Sequence, residues 1–227
     1  MKPAIFNTDM VLAILEDRKT QTRRVIGKRF LIMDFEQKDI NGDDGEYKYR
    51  IVDLKKNNTY DTVDLSMFFT NIGFAPYKKG DIIYVRETFG VVYSSNEYDD
   101  DPRIYYKASP DEYDMHHDVY KWKPSIHMPK EYARLFLRVK DVRIERLNEI
   151  SEEDAIAEGV HTDGVYFSDY LDFPIDGSYP LSMFSAKDSF HTLWESIYGD
   201  GSFNDDYVWV IEFEKISKEE AISETAT

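Results

Sequence analysis

The most informative stretch of this chain lies near its beginning and reads RKTQTRR, residues 18–24. Four of its seven residues are cations, namely Arg18, Lys19, Arg23 and Arg24. Because like charges repel and arginine does not give up its proton, Lys19 is a candidate neutral base. Such a base can activate the hydroxyl of Thr22 as a nucleophile. The same pattern is also typical of a basic helix end that stabilises the helix dipole.

The residues before this stretch predict a short helix over residues 9–17. Cap-forming side chains come first, and apolar residues then recur at helical spacing, at Met10, Val11, Ile14 and Leu15. The helix would deliver the basic residues at its C-terminal end.

The residues that follow alternate between polar loops and strand patterns. Residues 34–64 are polar with little periodicity, which predicts loops or a loose hairpin. A turn at Gly80 then leads into an apolar strand, 82–85, that ends at Arg86 and Glu87. This charged pair is more typical of an ion pair than of a site, although both residues are candidate ligand contacts.

The second half of the chain carries the clearest secondary-structure patterns. Alternation from Ala133 to Lys140 predicts a long, half-buried strand, with Ala133, Leu135, Leu137 and Val139 on one face. Ser151 begins a helix that ends before Gly159, and a second helix over 186–197 buries Phe190, Leu193, Trp194 and Ile197. Residues 208–213 are predicted to close the sheet, and the tail after Ser217 to fray.

Glu158 departs from the usual pattern of a helix end. A carboxylate in the last turn meets the negative end of the helix dipole, where a cation is expected. A partner such as Lys19 or Arg86 would hold it there and place an acid beside the basic stretch. An exposed glutamate is the alternative reading.

Composition sets the protein class. A length of 227 residues with 42% hydrophobic content predicts one domain, 1–217, with insertions near 30–75, 92–120 and 161–184 and a polar tail at 218–227. The chain has no cysteine, so disulfides and thiolate metal sites are excluded. It shows no signal peptide and no stretch of about 20 apolar residues, which predicts a cytoplasmic protein that does not cross a membrane.

The net charge of −16 makes non-specific binding to duplex DNA unfavourable. A basic pocket on an acidic body favours a small anionic or nucleotide-sized ligand, although both charge clusters also fit solvated faces. Further candidate contacts are His127, Trp122 and Lys123. The indole ring of Trp122 is suited to stacking on a base. His116 and His117 have metal-ligand chemistry but lack a defined ligand set, so we expect no metal and no cofactor.

The order of these motifs resembles the ASCH superfamily. The resemblance rests on RKTQTRR at 18–24, GDIIYV at 80–85, AIAEG at 155–159 and VIEF at 210–213, in that order. It implies an α+β fold of the PUA-like β-barrel type with flanking helices. The segments VRET at 85–88 and WKPSIHMP at 122–129 are similar to long ASCH-like proteins of phage and prophage genomes, some labelled morphogenetic protein, which implies a bacterial host cytoplasm.

The resemblance also implies a function and a set of site residues. ASCH domains are expected to bind RNA or modified nucleosides, and one compact branch is an amidohydrolase that deacetylates acetylcytidine. Its lysine, threonine and glutamate fall on Lys19, Thr22 and Glu158, so Lys19 would take the proton of Thr22 while Glu158 assists. The expected ligand contacts are Arg18, Thr20, Arg23, Arg86, Glu87, Trp122, Lys123 and His127.

Three functions follow from these patterns. The first is a module that binds a nucleoside, nucleotide or single-stranded RNA in a basic cleft without catalysis. The second is an amidohydrolase acting on an acylated or modified nucleoside through Thr22. The third is an acidic phage protein whose runs at 99–101 and 111–118 bind a host protein.

Overall fold

A computed structural model describes residues 1–36, 47–62, 64–92, 102–109, 121–172 and 179–226. Its helices are α1 (Thr8–Leu15), α2 (Leu65–Asn71), α3 (Glu152–Ala157), α4 (Ala186–Tyr198) and α5 (Lys218–Thr225). Its strands are β1 (Lys2–Ile5), β2 (Gln21–Val25), β3 (Phe30–Glu36), β4 (Tyr47–Asp53), β5 (Asn58–Thr62), β6 (Ile82–Arg86), β7 (Phe89–Val92), β8 (Arg103–Tyr106), β9 (Phe136–Arg146), β10 (Phe167–Ser168), β11 (Leu181–Met183) and β12 (Tyr207–Ile216). This mixture confirms the α+β class.

A five-stranded sheet in the order β1-β6-β9-β12-β2 forms the centre of the molecule. The β1 strand runs parallel to β6, and the other neighbours are antiparallel. The predicted last strand, β12, does not close the sheet, because it lies inside it between β9 and β2. The basic stretch therefore supplies an edge strand.

A side-chain hydrogen bond connects β1 and β2, the two edge strands of this sheet. Nη2 of Arg24 in β2 donates to the backbone carbonyl of Ile5 in β1 at 2.8 Å, and its guanidinium lies over the ring of Phe6. No backbone ladder between β1 and β2 occurs in the described residues, so the sheet curls without closing into a barrel.

The two faces of β12 feed two different hydrophobic cores. Trp209, Ile211 and Phe213 enter the main core, which α1 and α2 cover. Val208 and Val210 enter a second core with α3 and α4. Because side chains alternate along a strand and directly paired residues share a face, this division decides where each residue of β2 points.

The smaller sheets lie in the predicted insertions, except that β7 comes just before the second of them. The strands β3, β4 and β5 form a three-stranded antiparallel sheet, which is more regular than the loops or loose hairpin predicted for 34–64. The β7 strand pairs with β8, and β10 pairs with β11.

The C-terminal segment corrects two predictions. Residues 218–225 do not fray but form α5, which begins with a capping box between Ser217 and Glu220. Its Ala221 packs with Phe136 and Ile216 in a third core. Since α5 covers the second face of β9, the start of that strand is buried on both faces rather than half-buried.

Most predicted helix bounds are confirmed within two residues, but the predicted burial of one side chain is wrong. Ile197 in α4 is 38% exposed, although the sequence predicts it in the buried stripe.

The His116 and His117 pair and the acidic runs at 99–101 and 111–118 lie outside the described residues. Every helix that the structure describes is too short or too polar to span a bilayer.

Candidate functional site

The loop before β2 packs directly against the end of α3. The backbone N–H of Thr20 donates to the carbonyl of Ala157 at 2.9 Å. Gly159 turns the chain after α3 with φ of +87°, and a Cβ there would come within 2.7 Å of the Lys19 Cβ. A glycine is therefore required at this contact, which brings Lys19 and Glu158 together.

Lys19 and Glu158 form a buried ion pair. Nζ of Lys19 lies 2.9 Å from Oε2 of Glu158 and 2.8 Å from its backbone carbonyl. The side chain of Lys19 has 0% exposure and that of Glu158 has 3%. Burial lowers the pKa of Lys19 below its ordinary value, and Glu158 opposes that shift. The partner predicted for Glu158 is thus confirmed as Lys19, but the pair is closed off from solvent.

Arg23 joins the same network on the side of the sheet that faces α3. It lies 2.9 Å from Glu145 and from Asp154, and 3.2 Å from the second oxygen of Glu158. Arg143 also contacts Asp141, Glu145, Asp154 and Glu212. Three cations, Lys19, Arg23 and Arg143, thus meet five carboxylates, Asp141, Glu145, Asp154, Glu158 and Glu212.

The basic stretch therefore does not line a basic cleft. Lys19 and Arg23 are paired with carboxylates inside the protein, and the guanidinium of Arg24 donates a hydrogen bond to the carbonyl of Ile5. The distribution of charge along the sequence did not predict this neutralisation. The carboxylates come from β9, from α3 and its C-terminal end, and from β12, all more than 100 positions after the basic stretch.

Thr22 points away from Lys19 and Glu158. It pairs with Ile211 across β2 and β12, whereas Arg23 pairs with Val210. Thr22 consequently faces the main core, and Arg23 faces the second core. Oγ1 of Thr22 is buried without a hydrogen-bond partner in the described part of the chain. The structure brings Lys19 and Glu158 together but leaves the predicted nucleophile on the opposite face.

An open pocket lies next to the buried pair, between α1 and β10. Its volume is about 170 Å³, and it is lined by Asp9, Leu12, Glu16, Arg18, Gly159, His161, Ser168, Tyr170 and Tyr179. Arg18 reaches it from the basic stretch, held by Glu16 at 2.7 Å and by the carbonyl of Gly159 at 2.6 Å. The rings of Tyr170 and Tyr179 lie 4.9 Å apart and form one wall.

The pocket carries more negative than positive formal charge. Its carboxylates are Asp9 and Glu16, and its guanidinium is Arg18. Burial raises the pKa of Asp9, and Lys107 opposes this shift. Burial also raises the pKa of both tyrosines, so they are neutral hydrogen-bond donors.

The other predicted contacts lie elsewhere. Arg86 donates to the carbonyls of Met128 and Ile126, and so holds the segment that contains His127. The buried carboxylate of Glu87 lies 2.9 Å from the guanidinium of Arg134. Glu87 thus forms a structural ion pair, as its position in the sequence favoured, and its partner is Arg134. Lys123 lies over the ring of Phe89. Neither these residues nor Trp122 and Thr20 line the pocket.

Sequence reasoning missed most of the pocket. Asp9 lies at the start of the predicted helix 9–17, and His161, Ser168, Tyr170 and Tyr179 lie in the predicted insertion 161–184; none of these five is among the candidate contacts of the sequence. A clustering of tyrosine, serine and histidine directly after Gly159 was the available signal. No group of three or more histidine, aspartate or glutamate side chains in the described ranges is arranged to hold a metal.

Comparison with other proteins adds no assignment to this geometry. No protein-family model, no curated protein and no solved structure matches the chain.

Proposed function

We propose that this chain is an ASCH-type module of the bacterial cytoplasm that binds a nucleoside or nucleotide, with the base in the pocket between α1 and β10. One observation carries the proposal: an open pocket with a tyrosine wall and convergent polar groups lies against Gly159 and the buried Lys19 and Glu158 pair. The curled sheet, bridged by Arg24 and Ile5, supports the PUA-like part of the proposal.

The size of the pocket limits what enters it. A volume of about 170 Å³ is smaller than the roughly 300–1,000 Å³ of typical small-molecule sites. One heteroaromatic ring fits such a volume, and the sugar then lies at the mouth. Aromatic side chains suit this ring because every base has a π face that can stack.

The charge of the pocket selects the kind of base. Asp9 and Glu16 disfavour a phosphate inside, so a nucleotide must keep its phosphate outside. A carboxylate accepts a hydrogen bond from an exocyclic amine, as aspartate does from the amine of cytosine. The pocket thus favours an amine-bearing base over the anionic ligand expected from the basic stretch.

Calorimetric titration tests this proposal with cytidine, uridine and cytidine monophosphate. Loss of one hydrogen bond to a charged group costs about 1.5–3 kcal/mol, so cytidine should bind roughly 10- to 100-fold more tightly than uridine. The monophosphate should bind no more tightly than cytidine. Asp9→Asn should weaken cytidine binding, and Asp17→Asn, at a position whose side chain is 74% exposed, is the matched control. Equal binding of cytidine and uridine, or none of either, would refute the proposal.

An amidohydrolase remains a second candidate because the lowered pKa of Lys19 suits a base. The direction of Thr22 opposes the expected mechanism, since its hydroxyl faces the main core. Incubation with acetylcytidine, followed by chromatography, separates the two functions. Turnover that disappears in both Lys19→Ala and Thr22→Ala favours the amidohydrolase, and absence of turnover alongside cytidine binding favours the module.

A further inference from the structure

A serine and a histidine lie side by side at the pocket wall. Oγ of Ser168 lies 3.4 Å from Nδ1 of His161, and both residues line the pocket. Ser168 is 2% exposed, whereas His161 is open to solvent. A hydroxyl next to an imidazole nitrogen is the arrangement that activates serine nucleophiles, and such distances are often loose before substrate binds.

A short hairpin holds this pair in place. The backbone N–H of Ser168 donates to the carbonyl of His161 at 3.0 Å, and Thr162 pairs with Phe167. Thr162 also donates through Oγ1 to the carbonyl of Tyr166 at 2.8 Å. The carbonyl of Ser168 accepts a bond from Ser189 of α4 at 2.6 Å, which ties the hairpin to the second core. The backbone positions of both residues are thus set before any ligand binds.

A carboxylate and two donors complete the surroundings of the pair. The N–H groups of Tyr166 and Val165 lower the pKa of Asp163, and His161 shifts it in the same direction. On the pocket side, the Tyr170 hydroxyl accepts from the backbone N–H of His161 at 3.0 Å, so its own proton can point inward, and Arg18 lies nearby.

From this juxtaposition of Ser168, His161, Tyr170 and Arg18 at one pocket wall, we propose a second activity: hydrolysis of a small ester or amide with Ser168 as nucleophile and His161 as general base. It shares the pocket of the proposed function but does not require a nucleoside, so either proposal can fail alone. The small pocket volume, about 170 Å³, restricts the substrate to a small acyl group.

The chemistry balances with water as the second reactant. Oγ of Ser168 bonds to the carbonyl carbon while its proton moves to Nδ1 of His161, which requires the tautomer protonated on Nε2. Tyr170 and Arg18 stabilise the oxyanion. The bond to the leaving alcohol or amine then breaks, and that group takes the proton from His161. Water attacks the acylated Ser168 with its proton passing to His161, the carboxylic acid leaves, and Ser168 regains its proton.

Fluorophosphonate labelling of the intact protein, with the modified peptide located by mass spectrometry, is the first test. We expect the label on Ser168, and its loss in Ser168→Ala but not in Ser182→Ala, an exposed serine of β11. Hydrolysis of p-nitrophenyl acetate should fall roughly 100-fold or more in His161→Asn, in the range of general-base removal. Labelling at another residue, or hydrolysis unchanged in Ser168→Ala, would overturn the proposal.

The absence of cysteine from the chain allows a second test that does not depend on the substrate. In Ser168→Cys the single thiol lies beside His161, which should raise its thiolate fraction. We expect iodoacetamide to alkylate it about 10-fold faster than the same thiol in the Ser168→Cys, His161→Asn double variant. Equal rates in the two proteins, with melting temperatures showing that both are folded, would refute the activation of residue 168 by His161.

Discussion

Nζ of Lys19 and Oε2 of Glu158 lie 2.9 Å apart, although 139 positions separate the two residues in the chain. The contact joins the loop before β2 to the end of α3, and Gly159 makes room for it. A buried charge pair of this kind is costly to leave half-formed, because the remaining ion has neither water nor a partner. The pair thus helps to hold the neighbouring residues Arg18 and Gly159, which line the pocket, in place.

Removing the carboxylate of Glu158 should destabilise the protein strongly. Glu158→Ala leaves Lys19 and Arg23 without this buried acceptor, and breaking such a pair costs about 3–5 kcal/mol. Urea denaturation gives the free energy of unfolding. Glu153→Ala, at an exposed position of the same helix, is the control and should change it by about 0.5 kcal/mol or less. Similar losses in the two variants would mean that the pair does not stabilise the fold.

A Cβ at residue 159 should clash with the loop of Lys19. Gly159→Ala and Gly164→Ala both place alanine at a positive φ, +87° and +95°, at a cost of about 1–3 kcal/mol each. Only the first adds contacts of 2.7 Å to Lys19 and 2.9 Å to Ala13, which we expect to cost about 1–3 kcal/mol more. Thermal unfolding compares the two variants, and an equal loss would contradict the close packing.

Burial of Lys19 should leave a signature in the pH dependence of stability. Because its folded pKa is lowered, the unfolded chain binds the Lys19 proton more readily. The contribution of Lys19 to the free energy of unfolding is at its maximum above the pKa of the unfolded chain, about 10.4. It is lost as the pH falls through the pKa of Lys19 in the folded protein. The stability of the wild type relative to Lys19→Met should therefore rise with pH over the alkaline range. A flat or falling difference in denaturant titrations would exclude the lowered pKa.

The C-terminal helix should depend on its capping box. Oγ of Ser217 accepts from the N–H of Glu220 at 3.1 Å, and the Glu220 carboxylate accepts from the N–H of Ser217 at 2.8 Å. Ser217→Ala should cost about 0.5–2 kcal/mol, since Ala221 anchors this helix in the third core. Ser182→Ala is the matched control, and thermal melting supplies the measurement. If both serine variants melt alike, the capping box does not stabilise α5.

Local patterns in the sequence predicted much of the secondary structure. Capping residues, glycine positions and apolar periodicity placed α1, α3, α4 and β6 correctly, because these signals act over a few neighbouring residues. Helix α5 was missed although Ser217 and Glu220 carry a capping signal, since its polarity outweighed that signal. The buried Ala221 shows that contact with β9 and β12, rather than composition, stabilises it.

The sequence by itself determined the α+β class, the cysteine-free composition and an unusual carboxylate at Glu158, for which a cationic partner and an exposed position were both open. Tertiary structure alone decided that this cation is Lys19, that three carboxylates neutralise Arg23, and that Thr22 turns to the opposite face of the sheet. It also decided that His161 and Ser168 meet Arg18 at one pocket. The physical reason is that strand register and long-range charge pairing depend on which segments lie side by side, and local sequence carries no measure of that distance.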